Sequence, residues 1–181
     1  MDWNISRSLT RLIKVMYIFR DMIFIPGKRE YVLSKDKDID CIFCKAFRDP
    51  DHSGVKILFI NDKVMIALNK YPYNPGHIMV APYRHVEKLT ELRDNEICYL
   101  FRKVNEATKL LEEVYSPPGF NIGVNMGEYS GASIRHLHVH VVPRYKSESG
   151  FLETISGTRI IVEDLDQTYN ILIKHVDKLN D

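Results

Sequence analysis

Along this chain the apolar residues follow two rhythms. Runs rich in Val, Ile, Leu and Met occupy residues 56–60, 64–68, 77–81, 120–125 and 137–142, with Asn, Asp, Gly and Pro between them. Short β-rich runs punctuated by turn residues read as strands, and five of them predict an antiparallel sheet. Between the third and fourth runs the spacing changes. Ile97, Leu100, Phe101, Val104, Ala107, Leu111 and Val114 recur at three and four residues, which predicts a helix over 94–114 with one apolar stripe. Pro117 and Pro118 end it, because proline cannot continue the backbone hydrogen-bond ladder. Leu165, Tyr169, Leu172, Ile173 and Val176 predict a last helix over 162–179, packed on the body or on a second subunit. The expected fold class is α+β: a five-stranded antiparallel sheet with a long helix on one face and a C-terminal helix.

Residues 1–40 carry mixed signals. Leu9, Leu12, Ile13 and Met16 have helical spacing, whereas Tyr31, Val32 and Leu33 suit a short strand. No Gly/Ser-rich or Pro-rich linker and no internal repeat divides the chain, so a single domain over 1–181 is expected. Within it, 1–40 is a lead-in, 41–145 the core and 146–181 an extension with the last helix.

Composition narrows the function. With 181 residues, 45% hydrophobic and 27% charged, the chain has the make-up of an ordinary globular domain. Its 25 Lys and Arg against 24 Asp and Glu leave a net charge of +1, so no whole-molecule field draws it to nucleic acid or membrane. Any anionic ligand must be held by a local site. The apolar stretches at 15–19 and 22–25 are interrupted by Arg20 and Asp21 and fall short of the roughly 20 residues that span a bilayer. No small-residue cleavage site follows them, and a cytoplasmic protein is expected. Three cysteines are too few for a disulfide framework. Cys41 and Cys44 form a CxxC that suits a metal clip; a redox role would call for a thioredoxin-like βαβ pattern, which is absent around it. Cys98, on the apolar helix, reads as a small core residue.

The most informative stretch is Arg135-His136-Leu137-His138-Val139-His140-Val141-Val142-Pro143-Arg144. A strand sends alternate side chains to opposite faces, so His136, His138 and His140 share one face while Leu137, Val139 and Val141 enter the core. A helix would turn His138 away from the other two. From the residues alone, the row is a metal site, a nucleophile with flanking donors, or an accident of a polar strand face.

This alternation of histidine with hydrophobic residues resembles the signature of the histidine triad (HIT) family. Asn69-Lys-Tyr-Pro-Tyr-Asn-Pro-Gly-His77 with Ile78 to Pro82 is similar to the family's nucleotide-binding strand and turn, and Phe120 to Asn125 to its next strand. The resemblance spans about Cys41 to Tyr145, nearest to microbial diadenosine tetraphosphate phosphorylases and related dinucleoside polyphosphate hydrolases. It implies that His138 is the nucleophile, forming a nucleotidyl-histidine intermediate, with His136 and His140 positioning and neutralising phosphate. It further implies that Asn69 accepts the ribose hydroxyls, that His77 supports the triad from the neighbouring strand, and that Asn125 and Ser133 contact nucleotide and phosphate. Zinc-binding relatives imply a structural zinc on Cys41, Cys44, His85 and His136. Tyr17, Phe19 and Arg20 resemble an aromatic-aromatic-Arg element near the start of related proteins.

The functions so implied are phosphorolysis of diadenosine polyphosphates, their hydrolysis, and hydrolysis of adenosine phosphoramidates, all by a homodimer with an adenine nucleotide substrate and no organic cofactor. Ala132 departs from the Gln by which several of the hydrolases assist the leaving group. The remaining alternative is a non-catalytic, zinc-stabilised nucleotide-binding scaffold, which has no need of a buried unprotonated nucleophile.

Overall fold

The computed structural model describes residues 41–146, 148, 155 and 161–179. The helical spacing at Leu9 to Met16, the strand at Tyr31 to Leu33 and the element of Tyr17, Phe19 and Arg20 lie outside the described residues. In chain order the elements are α1 (Ile42–Arg48), β1 (Ile57–Ile60), β2 (Val64–Leu68), β3 (Ile78–Pro82), α2 (Asp94–Tyr115), β4 (Gly119–Val124), β5 (Val139–Arg144) and α3 (Leu165–Leu172). Short 3-10 turns lie at Leu89–Glu91, Glu128–Ser130 and Ile173–Lys178. The architecture is α+β: one five-stranded sheet in the order β1-β2-β3-β5-β4, every neighbouring pair antiparallel.

The sheet is covered unequally. On one face α2 buries Leu100, Val104, Ala107, Leu110 and Leu111 against Ile66, Ile78, Val80, Val139 and Val141, the alternate residues of three central strands. On the other face the short α1 seals Phe43 and Ala46 over Met65, Ala67, Met79 and Ala81. Strands β2 and β3 are therefore buried on both sides and read as continuous apolar runs. Among the described residues no strand pairs with the outer edge of β4, and its Ile122 is 47% exposed.

Helix α2 begins where the Glu96 carboxylate accepts the Arg93 backbone N–H at 2.8 Å, and ends where Ser116 turns left-handed (φ 46°) just before Pro117. Phe101, placed in the apolar stripe by spacing, is 44% exposed, because the stripe that meets the sheet centres on Leu100, Val104, Ala107 and Leu111. Cys98 also differs from expectation: it is exposed on α2 and is no core residue. At the C-terminus the helix predicted over 162–179 is split. Asp164 and Gln167 cap each other's backbone N–H groups at 2.8 and 2.9 Å, so α3 starts only at Leu165. After Leu172 the chain tightens to a 3-10 turn that brings Leu179 down onto α2.

Lys103 is buried on α2, where its Nζ meets Glu106 at 2.8 Å and the Leu179 carbonyl at 3.4 Å. The same ammonium lies 4.4 Å from the centre of the Phe59 ring, a cation–π geometry that offsets part of its desolvation.

The β2–β3 connection is held as tightly as a core element. Buried Asn74 donates to the Pro143 carbonyl at 2.6 Å and to Glu148 at 2.8 Å, and the Tyr145 hydroxyl donates to the Pro75 carbonyl at 3.0 Å. Gly76 then takes φ +79°, and a Cβ there would meet Leu111 at 3.0 Å, Pro143 at 3.2 Å and Tyr115 at 3.3 Å. Positive φ and lack of room act together, so Gly76→Ala is expected to cost about 2–4 kcal/mol. In a chain of this size that lowers Tm by about 5–10 °C in a calorimetric scan; an unchanged Tm would contradict the packing described.

Candidate active site and metal centre

The row of histidines is built by two segments. The ladder of β5 begins only at Val139, two residues into the strand expected over 137–142, and residues 134–136 before it form a bend. The alternation of faces nevertheless persists. Leu137, Val139 and Val141 join the core beneath α2, while the Phe43 ring of α1 lies edge-on to both His136 and His138 at 5.5 and 5.4 Å. Pairing of Leu137 N–H with the Val86 carbonyl at 2.6 Å substitutes for the missing ladder and ties the chain after the bend to the segment that follows β3.

Hydrogen-bond partners fix where each ring carries its proton, since a carbonyl only accepts and a backbone N–H only donates. His138 Nδ1 lies 2.7 Å from the His136 carbonyl, so Nδ1 is the protonated nitrogen and Nε2 keeps its lone pair. His77 Nδ1 accepts the Tyr73 backbone N–H at 3.1 Å, which puts its proton on Nε2. That Nε2–H donates to His140 Nδ1 at 3.0 Å, leaving the His140 proton on its own Nε2. His140 Nε2 is buried and has no partner among the described residues. An orphan donor of this kind costs about 1–3 kcal/mol until an acceptor arrives. The result is a lone pair on His138 and an unused N–H on His140, their ring centres 4.6 Å apart.

Burial keeps these rings neutral. It pushes His77 down to about 3 and His140 to about 4, each helped by neighbouring imidazoles that would repel a second positive charge. His138 is likewise held below its ordinary value by burial, partly offset by its bond to the His136 carbonyl.

His136 faces the other way. Its Nε2–H donates to the Pro82 carbonyl at 2.8 Å, and its Nδ1 lone pair lies 3.4 Å from Cys41 Sγ and 3.6 Å from Cys44 Sγ. His85 Nδ1 is 3.2 Å from Cys44 Sγ. The ligand atoms of Cys41, Cys44, His85 and His136 all lie within 4.8 Å of one another. Two thiols and two imidazoles, one with its second nitrogen already anchored on a carbonyl, fit the donor set and outer-shell support of a tetrahedral metal site. Both nitrogens of His136 are engaged in this way, so neither is turned to the space between His138 and His140.

Asn69 stands beside His77. Its Oδ1 accepts the Tyr71 N–H at 2.9 Å, and its Nδ2 lies 3.3 Å from His77 Nε2, donor facing donor, which leaves the amide hydrogens for another acceptor. Asn125 follows β4 next to the Val124 to Val139 pair, and Ser133 is exposed in the loop before His136; neither makes a hydrogen bond to the histidines among the described residues. Sequence reasoning missed Phe43, the Tyr73 amide and the Pro82 carbonyl. Phe43 lies within the CxxC itself, but a buried aromatic there signals packing rather than chemistry, and the other two are backbone atoms.

A sequence model described as the HIT domain matches residues 53–147, more than half of the chain. Among curated proteins, the AP-4-A phosphorylase of Mycobacterium tuberculosis is 44% identical over 110 residues, 60% of this chain and 56% of that protein. The bis(5'-nucleosyl)-tetraphosphatase [asymmetrical] of Schizosaccharomyces pombe is 36% identical over 92 residues, 50% of each. The chain thus spans about half the length of either. The fold matches a hypothetical histidine triad nucleotide-binding protein of Sulfolobus tokodaii with a TM-score of 0.62 at 23% identity, over 77% of this chain and 91% of that one. A Zn-bound histidine triad family protein of Mycobacterium smegmatis also gives a TM-score of 0.62, at 20% identity, over 77% and 95%. On the family match and the fold together, this chain belongs to the HIT family.

Proposed function

We propose that the protein is a nucleotidyl transferase that acts at the α-phosphate of adenine dinucleoside polyphosphates such as diadenosine tetraphosphate, with inorganic phosphate as acceptor. The observation that carries the reading is His138, a buried imidazole whose Nδ1–H is held by the His136 carbonyl so that Nε2 presents a lone pair. That nitrogen needs no deprotonation to attack phosphorus at neutral pH. The similarity to a phosphorylase favours phosphate over water as acceptor.

In the first step His138 Nε2 forms a bond to the α-phosphorus and the bond to the bridging oxygen breaks, releasing ATP from diadenosine tetraphosphate. In the second a phosphate oxygen attacks the same phosphorus, the N–P bond breaks and ADP leaves. His140 Nε2–H donates to a non-bridging oxygen; a well-placed donor of this kind is worth about 3 kcal/mol as charge develops. The proton sits on that nitrogen because the Tyr73 amide and His77 leave it nowhere else. Asn69 meets the ribose hydroxyls with its amide, and Asn125 and Ser133 flank the phosphate.

Zinc on Cys41, Cys44, His85 and His136 would be structural, since four protein ligands leave no open position for a substrate. His136 is then a positioning residue, bound through its side chain while its carbonyl orients His138. The open edge at β4, with Ile122 half exposed, suits pairing with a second copy into a homodimer. Among the described residues no helix is long and apolar enough to cross a membrane. The paired thiols fit a reducing cytoplasm.

Incubation of the protein with diadenosine tetraphosphate, followed by chromatography, is expected to give ATP and ADP only when phosphate is present. AMP and ATP without phosphate would assign water as acceptor instead. His138→Ala should lower turnover at least about 10³-fold, as loss of a nucleophile does elsewhere; unchanged turnover would remove His138 from the chemistry. Protein purified without chelator should carry about one zinc per chain by elemental analysis, and Cys41→Ala less than about a tenth of that. Wild-type protein with as little metal as the variant would refute the zinc assignment.

A further inference from the structure

At the His136 end of the row Phe43 packs edge-on, both rings are almost fully buried, and the neighbours are Cys41, Cys44 and His85 of the candidate metal site. At the His140 end the row continues through His77, 5.1 Å away between ring centres, to Tyr73, 4.9 Å from His77 and 6.3 Å from His140. There burial stops: Tyr73 is 51% exposed. Its ring is tilted only 30° from His77 and 35° from His140, so one side of it faces the histidines and the opposite side is turned outward. Its position is fixed by more than its own packing. The Tyr73 amide bonds His77, and the next residue, Asn74, is buried and anchored on Pro143 and Glu148.

We propose that the outward face of Tyr73 is a stacking platform for the base of the departing nucleotide, which makes it a residue that favours dinucleoside polyphosphates over adenosine polyphosphates without a second nucleoside. The inference rests on the nucleotidyl-transfer reading above. A rigid, pre-placed aromatic face costs little to order when a base settles on it, and stacking is indifferent to which base arrives. Half exposure suits a group that must leave in every turnover, whereas the nucleoside that stays on the enzyme through both steps calls for an enclosed pocket. The ring lies 6.3 Å from His140, whose Nε2–H is without a partner among the described residues, so a chain of four phosphates held there is long enough to bring its second base to the exposed ring of Tyr73.

The test uses binding in His138→Ala protein, in which turnover is expected to be at least about 10³-fold slower, with two probes that share an adenosine and four phosphates and differ in the second adenosine, whose ester also removes one ionisable proton from the terminal phosphate. Calorimetry is expected to give a Kd for diadenosine tetraphosphate about tenfold below that for adenosine 5'-tetraphosphate, the scale of one base stacked on one aromatic ring. Adding Tyr73→Ala should bring the two Kd values together, and Tyr73→Phe should keep them apart. Equal affinities with Tyr73 in place, a tenfold preference that survives Tyr73→Ala, or one lost in Tyr73→Phe would each overturn the platform, the last by assigning the contact to the hydroxyl. Binding of neither probe would overturn it as well. Wild-type turnover, read from the product analysis above, decides the nucleotidyl-transfer reading separately, so the two failures are distinguishable.

Discussion

An imidazole shut away from water keeps a single proton, and the nitrogen that holds it is chosen by whatever acceptor lies within reach. In this protein that choice runs through one residue. His136 gives its Nε2–H to the Pro82 carbonyl, turns its Nδ1 to two thiols, and with its own carbonyl takes the Nδ1–H of His138. The strand β3, the cluster of two thiols and two imidazoles, and the lone pair of His138 therefore share a single residue. A shift of that residue would be felt at all three.

The remaining polarity of the site follows from a second chain of the same kind, in which the Tyr73 amide, His77 and His140 hand a proton's position along without any charged group. This is consistent with a chain whose net charge is only +1. Among the described residues the polar groups of the site are imidazoles kept neutral by burial, on and beside strands of which β2 and β3 are packed on both faces. The two layers that do the burying are unequal in size, α2 on one side and the seven-residue α1 on the other, and the thinner layer, with its N-cap, is the one that carries both cysteines of the CxxC.

Much of this was legible in the residues because periodicity reports burial directly. The five strands and α2 fall within a residue or two of their predicted spans, since their apolar spacing is uninterrupted. The grouping of Cys41, Cys44, His85 and His136 came through a family resemblance, and the ligand atoms do converge. What was hidden depends on contacts between distant segments. The segment 134–138 keeps the alternating pattern of a strand while its Leu137 N–H goes to the Val86 carbonyl. α1 is too short for a helical repeat to emerge, and Cys98 lies one step off the stripe that meets the sheet. The clamp formed by Asn74, Pro143 and Glu148 links residues some 70 positions apart in sequence, and no local rule connects them. Residues 1–40 carried the weakest pattern.

The buried ammonium of Lys103 gives the far end of the molecule an unexpected role. Its charge is shared between Glu106, the Phe59 ring and the carbonyl of Leu179, so the final turn of the chain helps solvate an ion in the middle of the apolar layer. A tail that looks like a surface appendage thus behaves as the lid of an ion cage. Peeling it back would admit water along α2 to the same layer whose opposite strands carry the histidines, which ties the integrity of that face to Leu179.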